Sequence, residues 1–229
     1  MAGAESCIVV GVGPGLGAAI GRRFAQAGHA VALAARHPER LAPIVQQIEG
    51  AGGSARAYGV DGTDEGQVIA LFDQAEAELG PARVAVYNAS GRVRKGIVEI
   101  GGEEFIGAWK RACYGGFLLG REAAKRMLPR GQGTILFTGA TASVKAFPGS
   151  AGFAVGKYGL RALAESMARE LHPKNIHVAH FVIDGAIGVD EGQSRLEPDA
   201  IAEAYYQAHA QHRSTWSWEV AIRPWVEAF

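Results

Sequence analysis

At 229 residues with 48% hydrophobic side chains, the chain suits one large α/β domain with a sizeable core. Lys plus Arg and Asp plus Glu both total 23, so no net charge draws it to nucleic acid or an anionic membrane; a small molecule or a further copy of the chain is the expected partner. Cys7 and Cys113 read as small reduced residues, the start Met1 to Ser6 has no basic stretch before an apolar one, and no apolar run reaches spanning length, so we expect an unprocessed, soluble, cytoplasmic protein.

The apolar run Cys7 to Val10 predicts a first strand, and a helical pattern follows the string Gly11-Val12-Gly13-Pro14-Gly15-Leu16-Gly17 as far as Gly28. Ala30 to Ala35 is the second strand, Pro38 to Ile48 a helix with proline in its first turn, and Ser54 to Val60 the third strand. Asp64 to Leu79 keeps Val68, Leu71, Phe72, Ala75 and Leu79 on one stripe and stops at Gly80-Pro81, and Val84 to Tyr87 is the fourth strand. Glu103 to Met127 reads as one long helix despite Gly107, Gly115, Gly116 and Gly120, glycines expected to face a closely packed backbone. Thr134 to Thr138 is strand five, Gly152 to Leu171 a long helix and Ile176 to Ile183 strand six. Then comes an aperiodic loop from Asp184 to Pro198, a helix from Asp199 to Gln211 and a possible last strand from Trp218 to Ile222. Residues 184–216 are the expected lid, and the alternation of strand and helix predicts a parallel sheet with crossover helices, a Rossmann-type three-layer domain spanning residues 1–229.

Glycine tolerates positive φ and lets backbone approach a ligand closely, so a strand, a glycine loop and a helix start make an anion cradle suited to a diphosphate. Two spacings are satisfied together: Gly13-x-Gly15-x-x-Ala18 fits the general dinucleotide fingerprint, and Gly11-x-x-x-Gly15-x-Gly17 is a wider variant. Gly11, Gly13, Pro14, Gly15, Leu16 and Gly17 are therefore candidate cofactor contacts.

With these motifs in order, Ser6 to Ile187 resembles the classical short-chain dehydrogenase/reductase family: the glycine string, Asp61-Gly62 after strand three, Asn88-Ala89-Ser90-Gly91 after strand four, and Lys157 early in the helix after strand five. The resemblance implies a doubly wound sheet ordered 3-2-1-4-5-6-7, a nicotinamide dinucleotide, and homodimers or homotetramers built on the helices of the fourth and fifth crossovers. It also implies that Asp61, with Gly62, meets the adenine, although a helix-capping role suits Asp61 as well. Asn88, Ala89 and Ser90 would lie along the adenine ribose, and Gly185 and Ile187 in the stretch facing the nicotinamide. At the end of strand two, where an acid would bind ribose hydroxyls, Ala34-Ala35-Arg36 offers a guanidinium instead, which favours NADP(H) over NAD(H) unless Arg36 is merely a solvated arginine.

The catalytic positions depart from that pattern. The resemblance implies a tyrosine as acid or base, a serine on the substrate oxygen, a lysine on the ribose and an asparagine holding a relay water; here Phe153, Ala140 and Ala112 stand where three of them belong and only Lys157 remains. A slight shift of register would offer Thr141 or Ser143 as the serine. Phenylalanine neither donates nor accepts a proton, so Tyr114 and Asp184 are the candidate replacement groups, with a packing aromatic and a loop cap as the duller alternatives. The C-terminal aromatics Tyr205, Tyr206, Trp216, Trp218 and the stretch Trp225 to Phe229 are expected at a subunit contact, with a substrate lid as the alternative. Two functions fit: an oxidoreductase with an atypical site moving hydride to or from a small organic substrate, such as an activated double bond, or a catalytically inactive dinucleotide-binding protein that senses redox state or binds a partner.

Overall fold

The computed structural model describes residues 5–192 and 194–226. Seven parallel strands form a single sheet in the order β3-β2-β1-β4-β5-β6-β7: β1 Ser6–Val10, β2 Ala30–Ala35, β3 Ser54–Gly59, β4 Ala82–Tyr87, β5 Gly133–Thr138, β6 Ile176–Ile183 and β7 Glu219–Ile222. This is the expected order, and the central strands are buried throughout because helices cover both faces of a parallel sheet. The helices are α1 Leu16–Gln26, α2 Ala42–Gly50, α3 Glu65–Leu79, α4 Gly102–Trp109, α5 Gly115–Met127, α6 Ala151–Leu171 and α7 Pro198–His209. One apolar cluster packs α3, α5 and α6 on one face, and a second packs α1, α2 and α7 on the other.

The stretch predicted as one helix is continuous but interrupted. Between α4 and α5 the turn widens into a π turn at Lys110–Tyr114, a feature that residue spacing does not announce. Tyr87, at the end of β4, donates its hydroxyl to the Arg111 carbonyl inside this turn at 2.7 Å. The same hydroxyl explains Gly115: a Cβ there would come within 2.1 Å of Tyr87 Oη and 2.6 Å of the Gly62 carbonyl. Gly116 and Gly120 differ from expectation, since their faces meet the side chains of Leu160, Phe137 and Met167 rather than backbone.

The lid expected over residues 184–216 divides. Its helix, α7, is docked on α1 through ion pairs of Arg22 with Asp199 and Arg23 with Glu203, so only the loop before it borders open space. The C-terminal aromatics, expected at a subunit contact, largely serve this chain's own packing. Tyr205 stacks on Phe181 at 3.8 Å, Tyr206 packs against Phe24 and Arg23, Trp216 stacks on His177 at 4.7 Å, and Trp218 lies beside Arg161. Trp225 is 78% exposed, while Glu227 to Phe229 fall outside the described residues. Cys7 is buried and free, and burial pushes its thiol pKa up; Cys113 is half-buried and also free.

Three histidines lie in the core near β6 and α7. Burial, the largest influence on each, lowers His177 and His180 to about 4 and, with His29 nearby, lowers His209 to about 3. An unfolded imidazole titrates near ~6.5, so on acidification the unfolded chain takes up protons that the folded chain refuses. Their neutral burial is therefore tolerated above pH ~7, and stability is lost as pH falls through the unfolded value toward the folded ones. Urea titrations are expected to show a midpoint that declines steadily from pH ~7 to pH ~5 at constant slope; a midpoint flat across that window would contradict the burial of these imidazoles.

Candidate functional site

The crevice opens at the C-terminal ends of β1 and β4, where the strand order reverses direction and open α/β sheets bind ligands. Gly11 leaves β1 at φ +90°, and a Cβ on it would lie 2.3 Å from the Ala89 nitrogen; Asn88 Nδ2 donates back to the Gly11 carbonyl at 2.9 Å. A Cβ on Gly17 would meet Val12 Cα at 2.8 Å, so this glycine seats α1 against its loop. Gly13 and Gly15 face open space, and α1 begins with no side-chain cap and no acid in its first turn. Uncapped helix N–H groups beside open glycines are what an anionic diphosphate requires.

Two cavities flank this loop and share Asn88 and Ser90 as lining residues. The outer one, about 680 Å³, is bordered by Gly11, Gly13, Pro14, Arg36, Asp61, Gly62 and Ala89, the residues expected at the adenosine end. Arg40 and Arg111 join Arg36 there, two cations that the sequence alone did not bring forward because one sits in the turn before α2 and the other in the π turn. Asp61 is not the cap of α3, which Asp64 supplies; its Oδ1 accepts from the Thr63 N–H and hydroxyl at 2.9 and 2.8 Å. Partial burial opposes ionisation of Asp61, but the Thr63 hydrogen bonds and the charges of Arg36 and Arg111 outweigh it and lower its pKa.

The inner cavity, about 1130 Å³, is bordered by Leu16, Ala140, Phe153, Lys157, Gly185 and Ile187, among others. Phe153 and Lys157 share one face of α6, as their spacing predicts. Lys157 is buried, and its Nζ donates to the carbonyl of Thr138, the last residue of β5, at 2.6 Å. Burial, with a smaller contribution from the charge of Arg92, brings its pKa down to about 8. Tyr205 of α7 donates to Thr138 Oγ1 at 2.8 Å, so the strand end carrying that carbonyl is held from two sides.

Neither candidate replacement group is among the residues bordering the inner cavity. Tyr114 borders neither cavity; it is stacked between Trp109 and Phe117, each 6.0 Å away. Ala112, two residues earlier, faces Gly156 of α6 from the buried side, and residues two apart on a helix point to nearly opposite faces. Asp184 is engaged by Arg223, whose Nη2 and Nε lie 2.5 and 2.8 Å from Oδ2, and by the Thr141 hydroxyl. Partial burial opposes its charge, yet these partners lower its pKa, so it stays an ionised structural carboxylate outside the inner lining.

Of the alternative hydroxyls, Thr141 borders the inner cavity, whereas Ser143 is fully buried with Oγ accepting from the Ala140 N–H at 3.1 Å. Ser143 Oγ lies 3.3 Å from His180 Nε2, His180 Nδ1 lies 3.2 Å from Glu219, and Arg161 binds Glu219 at 2.5 and 2.9 Å. The order serine, imidazole, carboxylate is that of a nucleophile triad, but neither Ser143 nor His180 is accessible. The chain of bonds instead pins the turn after β5 to β6 and β7. Sequence reasoning also missed Arg92, whose guanidinium carbon sits 5.1 Å from the Phe153 ring centroid; its only signal is a cluster of basic residues directly after Gly91.

Similarity to known proteins agrees with this geometry. The short chain dehydrogenase family profile matches residues 5–194. A short chain dehydrogenase of Pseudocercospora fijiensis is 31% identical over 173 residues, 73% of this chain and 55% of that longer relative. Among solved structures, a short-chain dehydrogenase from Rhodopseudomonas palustris is 43% identical, with a TM-score of 0.89 over 96% of this chain and 99% of that one. A metagenomic short-chain oxidoreductase solved in complex with NADP is 27% identical, with a TM-score of 0.88 over 97% and 98% of the two chains. The chain belongs to the short-chain dehydrogenase family.

Proposed function

We propose that the protein is an NADP(H)-preferring oxidoreductase of atypical site, transferring hydride to or from a small organic substrate in the cytoplasm. The observation that carries this reading is the unbroken run of cofactor-type surface from Arg36, through the open Gly13 and Gly15, to the buried ammonium of Lys157. Arg36 and Arg40 at the outer end suit a 2′-phosphate, where an acid would repel it. The NADP complex of the metagenomic relative supports the same choice. Asp61, Asn88, Ala89 and Ser90 would bear the adenosine, Gly185 and Ile187 the nicotinamide end, and Lys157 the adjoining ribose.

A bound nicotinamide dinucleotide supplies or accepts hydride; the protein must then manage the charge left on the substrate. Phe153 and Ala140 contribute no oxygen at the inner cavity, and Asp184 is held as an anion. A positioned general acid is worth about 10²–10⁴-fold, so ordinary ketone reduction should be slow while cofactor affinity is retained. The same absence favours a second reading, dinucleotide binding without turnover.

Apolar side chains on α4, α5 and α6, namely Ile106, Phe117, Val155 and Tyr158, are exposed and support assembly into a homodimer or homotetramer through these helices. Light scattering is expected to give a mass of two or four chains; a monomer at all concentrations would end that part of the proposal.

For the cofactor, fluorescence titration is expected to show NADPH binding more tightly than NADH. Arg36→Ala should weaken NADPH by about tenfold, the loss of one charge-assisted phosphate contact, and leave NADH unchanged. Tighter NADH, or binding of neither, would remove the assignment. For the chemistry, Phe153→Tyr with Ala140→Ser is expected to raise carbonyl reduction by about 10²-fold or more over wild type. No gain in a double variant that still binds NADPH would show that the loss of these oxygens is not what limits the site.

A further inference from the structure

The inner cavity carries an imbalance of charge. Arg92, Arg94, Lys95 and Lys157 border it, against the carboxylate of Glu99 among the described residues. Lys95 is paired with Glu104 at 2.6 Å, Lys157 is bonded to the Thr138 carbonyl, and Glu99 accepts the Gly96 N–H at 3.1 Å. Arg92 and Arg94 have neither a hydrogen bond nor an ion pair from their side chains among the described residues, and both are exposed to the cavity mouth. Arg92 is also aimed inward: its guanidinium lies over the Phe153 ring and is close enough to Lys157 for its charge to be felt there. A guanidinium over an apolar ring, with the Lys157 ammonium on the same cavity, leaves positive potential at the position where the family pattern would present a neutral hydroxyl. A guanidinium offers a planar fork of donors that matches the two oxygens of a carboxylate or phosphate.

We propose that this cavity takes an anionic substrate, a small compound bearing a carboxylate or phosphate group, and that Arg92 is the residue that holds that group. The proposal rests on the oxidoreductase reading for the word substrate, while the binding itself does not. The cofactor's own phosphates have partners other than Arg92: Gly13, Arg36 and Arg40 border the outer cavity, and α1 begins at Leu16 without a side-chain cap on its N–H groups. Phe147, Phe153 and Ile187 give the remainder of the cavity an apolar wall, which suits a short carbon body behind the charged group.

The test is calorimetric titration of the chain, alone and saturated with NADPH, using malonate, inorganic phosphate and the neutral dimethyl malonate. Saturable binding of malonate or phosphate, with none of the diester, is expected, and the tighter of the two anions identifies the group. Arg92→Gln should weaken that binding by about tenfold or more and leave NADPH affinity unchanged, because Arg92 borders the inner cavity and not the outer one that takes the adenosine end. Lys110→Gln, outside the cavity, should change neither. Diester binding equal to the dianion, anion binding unaffected by Arg92→Gln, or no saturable binding of either anion would overturn the proposal. Failure of NADPH alone to bind would instead strike the dinucleotide reading, with the anion titration of the free chain still deciding this one.

Discussion

The closest approach in the molecule that the cleft depends on is that of Gly11 to the Asn88-Ala89 backbone. β1 lies between β2 and β4, with Val10 beside Ala34 on one side and Tyr87 on the other, so the chain leaving β1 must turn over the end of β4. It can do so only without a side chain and at positive φ, and Asn88 then bonds the Gly11 carbonyl and fixes the separation. Everything downstream uses that placement. The open glycines face the crevice, α1 starts beside it, and the outer and inner cavities meet at Asn88 and Ser90.

The second anchor is a buried charge. An ammonium inside a protein is costly unless its donors are met, and Lys157 meets that demand at a strand-end carbonyl rather than at a carboxylate. A carboxylate partner would neutralise the site; a carbonyl leaves the positive charge available. The Thr138 carbonyl stays in position because Tyr205 holds its residue's hydroxyl and the Ser143, His180, Glu219 and Arg161 chain holds the following turn. α7 and β7, remote in sequence from the glycine loop, are thus supports of the inner cavity.

These two anchors divide what the sequence made legible from what it did not. Strand alternation, the glycine string and the four-residue spacing of Phe153 and Lys157 are local patterns, and local patterns survive folding: β6 spans Ile176–Ile183 as read, and the sheet has the expected order. The placement of Tyr114 and Asp184 was not legible because it depends on partners far along the chain. The π turn that takes Tyr114 into an aromatic stack is stabilised by Tyr87, 27 positions away by residue number, and Asp184 is claimed by Arg223. The aromatic tail misled for the same reason: Tyr205 and Trp216 look like surface excess until Phe181 and His177 are placed beside them.

The distribution of cations within the cleft bears on what chemistry can follow hydride transfer. A guanidinium stays protonated near neutral pH, so Arg92 can attract negative charge but cannot serve as the proton donor. With Phe153 in place of a hydroxyl, charge created on a substrate oxygen has no tyrosine beside it to supply a proton. An isolated ketone gives a localised alkoxide, whose high basicity makes that lack expensive, whereas an activated double bond gives a delocalised enolate that a nearby cation suffices to hold. Under the proposed oxidoreductase reading, the combination of a retained Lys157, an inward Arg92 and no side-chain oxygen on Phe153 or Ala140 would suit conjugate reduction of an anionic compound better than reduction of a simple ketone. Holding the dinucleotide and choosing the reaction are separable properties in this fold, the first written in the glycine loop and the second in the charge around one aromatic ring.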